Sequence, residues 1–332
     1  MKQYQDTDYL HASTRVRTLE TRMLDRRDLQ KMIECRNFDE AFKVLNDAGI
    51  AVGRDPADFE EGLAQSLDEA YTLVEKIAPE KELFSIFRYR YDGHNLKTLI
   101  KSRRTHGEYD QILSGLGNVP AKTLKTEFEN GRFEKLCRTL AEAAEAADES
   151  LAKTGDPQAV DIIVDRAVLE AMAAKAAEFD FPFLTDYVTA YIDMANLRSA
   201  VRIKRMGKDV FFLRRVLAAG GRVDRGRLTD AFAKGMEEIL SVISLSPYEK
   251  ALEPSFDLLR SGGALTQFER ACDNYLVALL ARSKLVAYGA EPVIAYLYAK
   301  ESEVRAARIV LTSKAAGVAP AQITERLRDT LC

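Results

Sequence analysis

Tryptophan is absent from this chain, and histidine and cysteine nearly so: His11, His94 and His106, and Cys35, Cys137, Cys272 and Cys332, are all it has. No two cysteines lie close enough to form a metal-ligand pair, and the histidines complete none, which excludes the sequence-local zinc patterns. Isolated thiols of this kind read as the reduced cysteines of a cytosolic protein. Long apolar runs are missing as well: no uncharged stretch exceeds about a dozen residues, against the ~20 a membrane-spanning helix needs. The opening Met1-Lys-Gln-Tyr-Gln-Asp6 lacks the pattern of a signal peptide. Neither sign of charge dominates. With 48 Lys and Arg against 51 Asp and Glu, the net charge of −3 makes no general case for nucleic acid or an anionic membrane.

Catalytic signatures are lacking in the same way. Gly207-Lys208 runs into Asp209 and has no upstream glycine, so it is not a phosphate loop. Gly115-Leu-Gly117 continues to Pro120, where a dinucleotide fingerprint needs glycine, and reads as a turn before a helix. G-x-S-x-G, H-E-x-x-H and C-x-x-C do not occur. No catalytic, cofactor-binding or metal-binding residue is therefore expected.

What is present is helix. Tyr9, Ala12, Val16, Leu19 and Met23 recur at three- and four-residue spacing, as do Phe84, Phe87, Tyr91 and Thr98. Val160, Ile163, Val164, Ala167 and Ala171 mark a third, long helix running to about Phe179. Asn37-Phe-Asp-Glu40 and Thr266-Gln-Phe-Glu269 read as capping boxes, and Asp55-Pro56, Asp156-Pro157 and Ser246-Pro247 as capped starts with proline at the first helical position. Breaks fall at Gly49–Pro56, Gly107–Pro120, Gly155–Pro157, Gly220–Gly226 and Gly317–Pro320. Alternating strand patterns are absent, so the expected class is all-α.

One polar pattern recurs three times. Asp92-Gly-His-Asn95-Leu96-Lys97 runs on to Lys101, Arg103 and Arg104; Asp193-Met-Ala-Asn196-Leu197-Arg198 runs on to Arg202, Lys204, Arg205 and Gly207. A degraded copy, Glu303-Val-Arg-Ala306-Ala307-Arg308, runs on to Lys314 and Gly317. The copies stand 101 and then 110 residues apart. A helix-opening box with apolar residues five apart accompanies them: Leu24…Leu29, Val119…Leu124, Val223…Leu228 and Val318…Ile323. From acid to following box the gap is 27, then 30, then only 15 residues. The expected organisation is three similar helical units, at 1–115, 116–220 and 221–332, each packing on its neighbours.

The acid boxes carry two readings. In one, Asp193 and Arg202, or Lys97 and Lys101, sit on solvated faces, and each Asn is placed to bond the Asp one turn back; repeated polar residues of this kind would fix how one unit docks on the next. In the other they meet a partner directly. The stretch from Asp193 to Arg227 holds ten cations against three acids, a surplus of seven. It is either a face balanced elsewhere, as by Glu142, Glu145, Asp148 and Glu149, or an interface. Aromatics there are few (Phe211, Phe212) and the whole chain is acidic, which favours an acidic protein partner over nucleic acid. The candidate interface residues are Arg198, Arg202, Lys204, Arg205, Arg214 and Arg215.

At these residues the chain resembles a known family. Tyr191-Ile-Asp-Met-Ala-Asn-Leu-Arg-Ser, Gly207-Lys-Asp-Val-Phe-Phe-Leu-Arg-Arg and Gly220-Gly-Arg-Val are similar to the middle of the C subunit of the V-type/A-type rotary ATPases, whose eukaryotic counterpart is the d subunit. Glu291-Pro-Val-Ile-Ala-Tyr-Leu, Ala299-Lys-Glu-Ser-Glu-Val-Arg and Arg308-Ile-Val-Leu-Thr-Ser-Lys resemble its last third, and Tyr9 to Leu24 its opening helix. The resemblance implies a funnel of three similar helical domains with a central socket. It implies a non-catalytic subunit on the cytoplasmic side of the membrane. There the socket receives the rotor shaft, made of the D and F subunits, and the funnel rests on the membrane rotor ring, coupling ATP turnover to H⁺ or Na⁺ movement. One such funnel cannot contact many identical ring subunits equivalently, so its adhesion would rest on a few polar contacts. Beside this reading stand a helical-repeat adaptor of another complex and an unrecognised enzyme.

Overall fold

A computed structural model describes residues 4–50, 58–105 and 109–331. His106, Cys332, the Asp55-Pro56 cap and parts of two predicted breaks, at 51–56 and 107–108, lie outside the described residues. Among the described residues every regular element is a helix and no strand occurs, as the absence of alternating patterns predicts. The chain divides into two compact units, 1–81 with 273–332, and 82–272.

The first unit joins the two ends of the sequence. It holds α1 (Leu10–Glu20), α2 (Arg26–Glu34), α3 (Phe38–Asp47), α4 (Phe59–Ile77), α16 (Ala290–Ala315) and α17 (Pro320–Arg326). Its axis is α16, against which α1, α2, α3, α4 and α17 all pack. The run Val293 to Ala299 is buried without interruption, because a helix covered on every side needs no polar face. The covering helices are amphipathic: α2 buries Leu29, Met32 and Ile33, and α3 buries Ala41, Phe42 and Leu45. Asp25 caps α2, its Oδ1 accepting from the amides of Arg27 (2.7 Å) and Asp28 (2.9 Å). Asn37 caps α3 as predicted, accepting from Glu40 N at 2.9 Å, but the Glu40 carboxylate reaches back to Arg36 N rather than Asn37 N, so the box is half formed.

The second unit runs α5 (Ser85–Thr105), α6 (Ala121–Glu129), α7 (Arg138–Thr154), α8 (Pro157–Ala176), α9 (Pro182–Arg205), α10 (Val210–Val216), α11 (Arg225–Lys234), α12 (Met236–Ser244), α13 (Glu249–Leu252) and α14 (Phe256–Arg260). The next helix, α15 (Thr266–Ala281), begins in this unit and ends in the first. Helix α5 packs on α7 and α8, and α9 on α8, α10, α11 and α12. The predicted start at Asp156-Pro157 is present, Asp156 accepting from Gln158 N at 2.9 Å with the proline at the first helical position. Two predicted starts differ. Ser246 Oγ accepts from Tyr248 N (3.2 Å) and makes a turn, so that α13 opens at Glu249. Thr266 is the first helical residue rather than a cap, and the Glu269 carboxylate pairs with Arg202 instead of the helix end. A nearby cation outcompetes a backbone amide for a partly exposed carboxylate.

Candidate functional site

The repeated acid boxes lie on the three longest helices, α5, α9 and α16. Their acids, Asp92, Asp193 and Glu303, are all buried, which corrects the expectation that Asp193 sits on a solvated face. Each accepts a backbone amide just ahead of a helix-opening box. Asp92 Oδ1 accepts from Val119 N (3.1 Å), and its Oδ2 from the Asn118 side chain (2.8 Å). Asp193 accepts from Arg222 N (2.8 Å), Val223 N (3.1 Å) and the Tyr248 hydroxyl (2.5 Å). Glu303 Oε1 accepts from Leu24 N at 2.7 Å, and Lys300 pairs with its Oε2. In all three the amide stands two residues before a short helix: α6, α11 and α2.

The asparagines do not bond the acids one turn back. Asn95 exchanges two bonds with the backbone of Ser114 (2.7 and 2.9 Å), and Asn196 two with Ala218 (both 2.9 Å). Ser114 and Ala218 each lie five residues before the clasped amide. An amide side chain that gives one donor and one acceptor to a single residue fixes the incoming strand like a sheet pairing. The third copy has Ala306 here, so it keeps the acid and lacks this second fastening.

A cation completes each clasp. Eleven residues beyond the acid, about three helical turns and so on the same face, stand Arg103, Lys204 and Lys314. Arg103 donates to Phe128 O (3.2 Å) and stacks over its ring, Lys204 donates to Phe232 O (2.8 Å) and lies over its ring, and Lys314 donates to Cys35 O. Those carbonyls end α6, α11 and α2. The long helix thus holds the short one at both ends, a carboxylate at the positive N-terminus and a cation at the negative C-terminus, the favourable placement for each charge. This pairing of acid and base is what the sequence reading missed, although the constant spacing of eleven was there to be read.

Burial of Asp92 and Asp193 pushes both carboxyls above the usual aspartate range, against the opposing pull of their hydrogen-bond donors. Glycine lets the backbone come this close. A Cβ at Gly117 would lie 2.5 Å from Asp92 Oδ1, and one at Gly221 would lie 2.0 Å from Asp193 Oδ1. Both glycines stand two residues before the clasped amide, where the third copy has Arg22. Glu303, one carbon longer than aspartate, makes its amide contact without a glycine at that position.

The six candidate interface residues separate into two groups. Four serve the fold. Arg198 donates to Met194 O (3.2 Å), Arg202 pairs with Glu269, and Lys204 belongs to the clasp. Arg205 donates to the carbonyls of Leu258, Leu259 and Gly263 (3.4, 2.9 and 3.1 Å), closing the end of α14. Arg214 and Arg215, on α10, are exposed, and neither side chain has a partner among the described residues. Of the four acids expected to balance this stretch, three are engaged elsewhere, Glu142 with Arg138, Asp148 with Arg103, and Glu149 with Lys153, while Glu145 pairs with none of the candidate residues among the described residues. Beside the two arginines stand Phe211, 68% exposed, and Met206, 51% exposed. This corner between α9 and α10 is the candidate functional surface. No group of three or more His, Cys, Asp or Glu among the described residues is placed to hold a metal, and none of the described helices is long and apolar enough to cross a membrane.

Compared with known proteins, residues 12–326 match the sequence model of the ATP synthase (C/AC39) subunit family. The chain is 24% identical to the C subunit of the V-type sodium ATPase of Enterococcus hirae, over 97% of this chain and 98% of that one. It is 25% identical to the C subunit of the V-type ATP synthase of Thermus thermophilus, over 96% and 98%. It is 24% identical to the C subunit of the A-type ATP synthase of Methanocaldococcus jannaschii, over 96% and 86%.

Proposed function

The chain belongs to the ATP synthase (C/AC39) subunit family, and on that footing we propose that it is the non-catalytic central-stalk subunit of a V/A-type rotary ATPase. In this reading it links the rotor shaft, made of the D and F subunits, to the membrane rotor ring. It thereby couples ATP hydrolysis or synthesis to H⁺ or Na⁺ transport. It sits on the cytoplasmic side, held peripherally through the ring, and the three copies of the helical design, at 1–115, 116–220 and 221–332, form a funnel with a central socket.

The observation that carries the reading is the end-to-end match to these relatives together with the clasps. Three buried acids and three cations are spent on holding helix to helix. That is how a rigid body for transmitting torque would be built, since satisfied buried polar contacts fix one arrangement of the helices. The test is recovery of the tagged full-length chain from detergent-solubilised membranes of its own source, with partners identified by mass. Shaft and ring subunits are expected. Recovery of unrelated soluble proteins alone would replace this reading with that of a helical-repeat adaptor.

A further inference from the structure

Three copies of one design share the clasp, so what they do not share calls for another explanation. The segment between the long helix and the next helix-opening box differs in each. After α5 it includes a short 3-10 turn, Asp110–Ile112, whose Asp110 is paired with Lys125. After α16 it is absent, the chain turning at Gly317 directly into α17. Among the described residues only the segment after α9 forms an α-helix, α10, which lies in the longest of the three gaps, and the clasp of Asp92 is made without one.

Helix α10 is held firmly from behind. Asp209 caps it, accepting from Phe212 N at 2.8 Å, and Leu213 and Leu217 are buried. Its C-terminal end runs into Ala218, clasped by Asn196, and Ala219, whose amide donates to Glu170 (3.1 Å). Its outer side carries Phe211, Arg214 and Arg215, with Met206 and Lys208 exposed at the turn before it. The acids that α8 could offer are already paired, Asp161 with Lys101 and Asp165 with Lys97. An exposed aromatic ring flanked by unpaired arginines, on a pre-organised support, has the composition of an interface anchor.

We propose that the outer side of α10 docks an acidic amphipathic helix of another protein subunit. Carboxylates of that helix would meet Arg214 and Arg215, and an apolar residue would cover Phe211. This rests on the central-stalk reading only for who the partner is. A membrane surface fits less well, because one short helix with a single prominent ring lacks the long apolar face of a helix that lies in a bilayer.

The test uses the full-length chain in its native complex, with a photo-cross-linking phenylalanine analogue at position 211 and, separately, the double variant R214E/R215E. The expected result is a cross-link to a carboxylate-bearing helical segment of one partner subunit. The double variant should lower recovery of that subunit by about tenfold or more at low salt, because like charges facing each other across an interface are strongly penalised, while circular dichroism and melting stay as in the wild type. R225E/R227E, which reverses exposed arginines on α11, is expected to leave recovery unchanged. Unchanged recovery with no protein cross-link would overturn the proposal and leave the central-stalk reading standing if shaft and ring subunits still co-purify. Binding to phosphatidylglycerol-containing but not pure phosphatidylcholine vesicles, abolished by R214E/R215E, with no protein cross-link, would overturn it in favour of a lipid surface. A charge-sensitive cross-link to an acidic helix of a protein outside any ATPase would keep the docking surface and discard the central-stalk role.

Discussion

Glu303 accepts the backbone amide of Leu24 at 2.7 Å, across 279 residues of sequence. This one bond explains the irregular gap of fifteen residues after the third acid. Asp92 and Asp193 each reach forward to the next helix-opening box, at Val119 and Val223, whereas Glu303 reaches back to the first box rather than on to Val318. The third acid thus serves the first helix-opening box, and α17, behind the Val318 box, starts without a side-chain cap.

Removing the acid of this third clasp is expected to loosen the N-terminal segment. In Glu303→Ala the Leu24 amide loses its acceptor and Lys300 its partner. The expected loss is about 1–3 kcal/mol, the cost of stranding a buried polar group. Hydrogen exchange should accelerate first at Leu24 and along α2; unchanged protection there would show that the bond contributes nothing.

The two glycines beside the aspartates should resist even the smallest side chain. Gly221→Ala and Gly117→Ala drive a Cβ into a buried carboxylate oxygen, and a cost of about 1–3 kcal/mol is expected from the forced shift. Gly115→Ala, with nothing within 4 Å of its Cβ, is the matched control. Denaturant unfolding of the three variants side by side distinguishes a steric effect from a general intolerance of this turn.

Asp193 gives a signed pH dependence. Burial, the dominant cause, holds its carboxyl above the usual aspartate range in the folded chain. The folded state therefore binds this proton more tightly than the unfolded state. Its stabilising contribution is complete below the unfolded pKa and is lost as pH rises through the folded one. The stability of wild type relative to Asp193→Asn should fall with rising pH across that window. A gap that widens instead would mean that the Tyr248 hydroxyl and the Arg222 and Val223 amides outweigh burial.

The basic stretch should divide by stability. Arg205→Ala strands three carbonyls at the end of α14 and removes charged hydrogen bonds, each worth about 1.5–3 kcal/mol. Arg214→Ala and Arg215→Ala remove exposed side chains without partners and should stay within about 0.5 kcal/mol of wild type. Melting curves of the three single variants check this, and equal effects at all three would refute the division.

Much of this protein was determined by local sequence. Apolar residues at helical spacing, without alternating runs, fix the all-α class, because periodicity alone decides which face each helix buries. The Asp156-Pro157 start and the Asn37 cap are local interactions and appear as read. The recurring acid box and the family resemblance that goes with it were also legible in the residues themselves.

Tertiary structure decided what those residues do. A carboxylate on a helix reads as solvated unless its neighbours are known, and the neighbours that bury Asp92 and Asp193 and supply their donors come from other helices and turns, 26 to 55 residues away. Burial reverses the default, because a desolvated charge persists only where donors converge on it. In the same way the surplus of seven cations could be counted in sequence, but not apportioned. Carbonyls at helix ends take up Lys204 and Arg205, Glu269 takes Arg202, and only packing leaves Arg214 and Arg215 free for a partner.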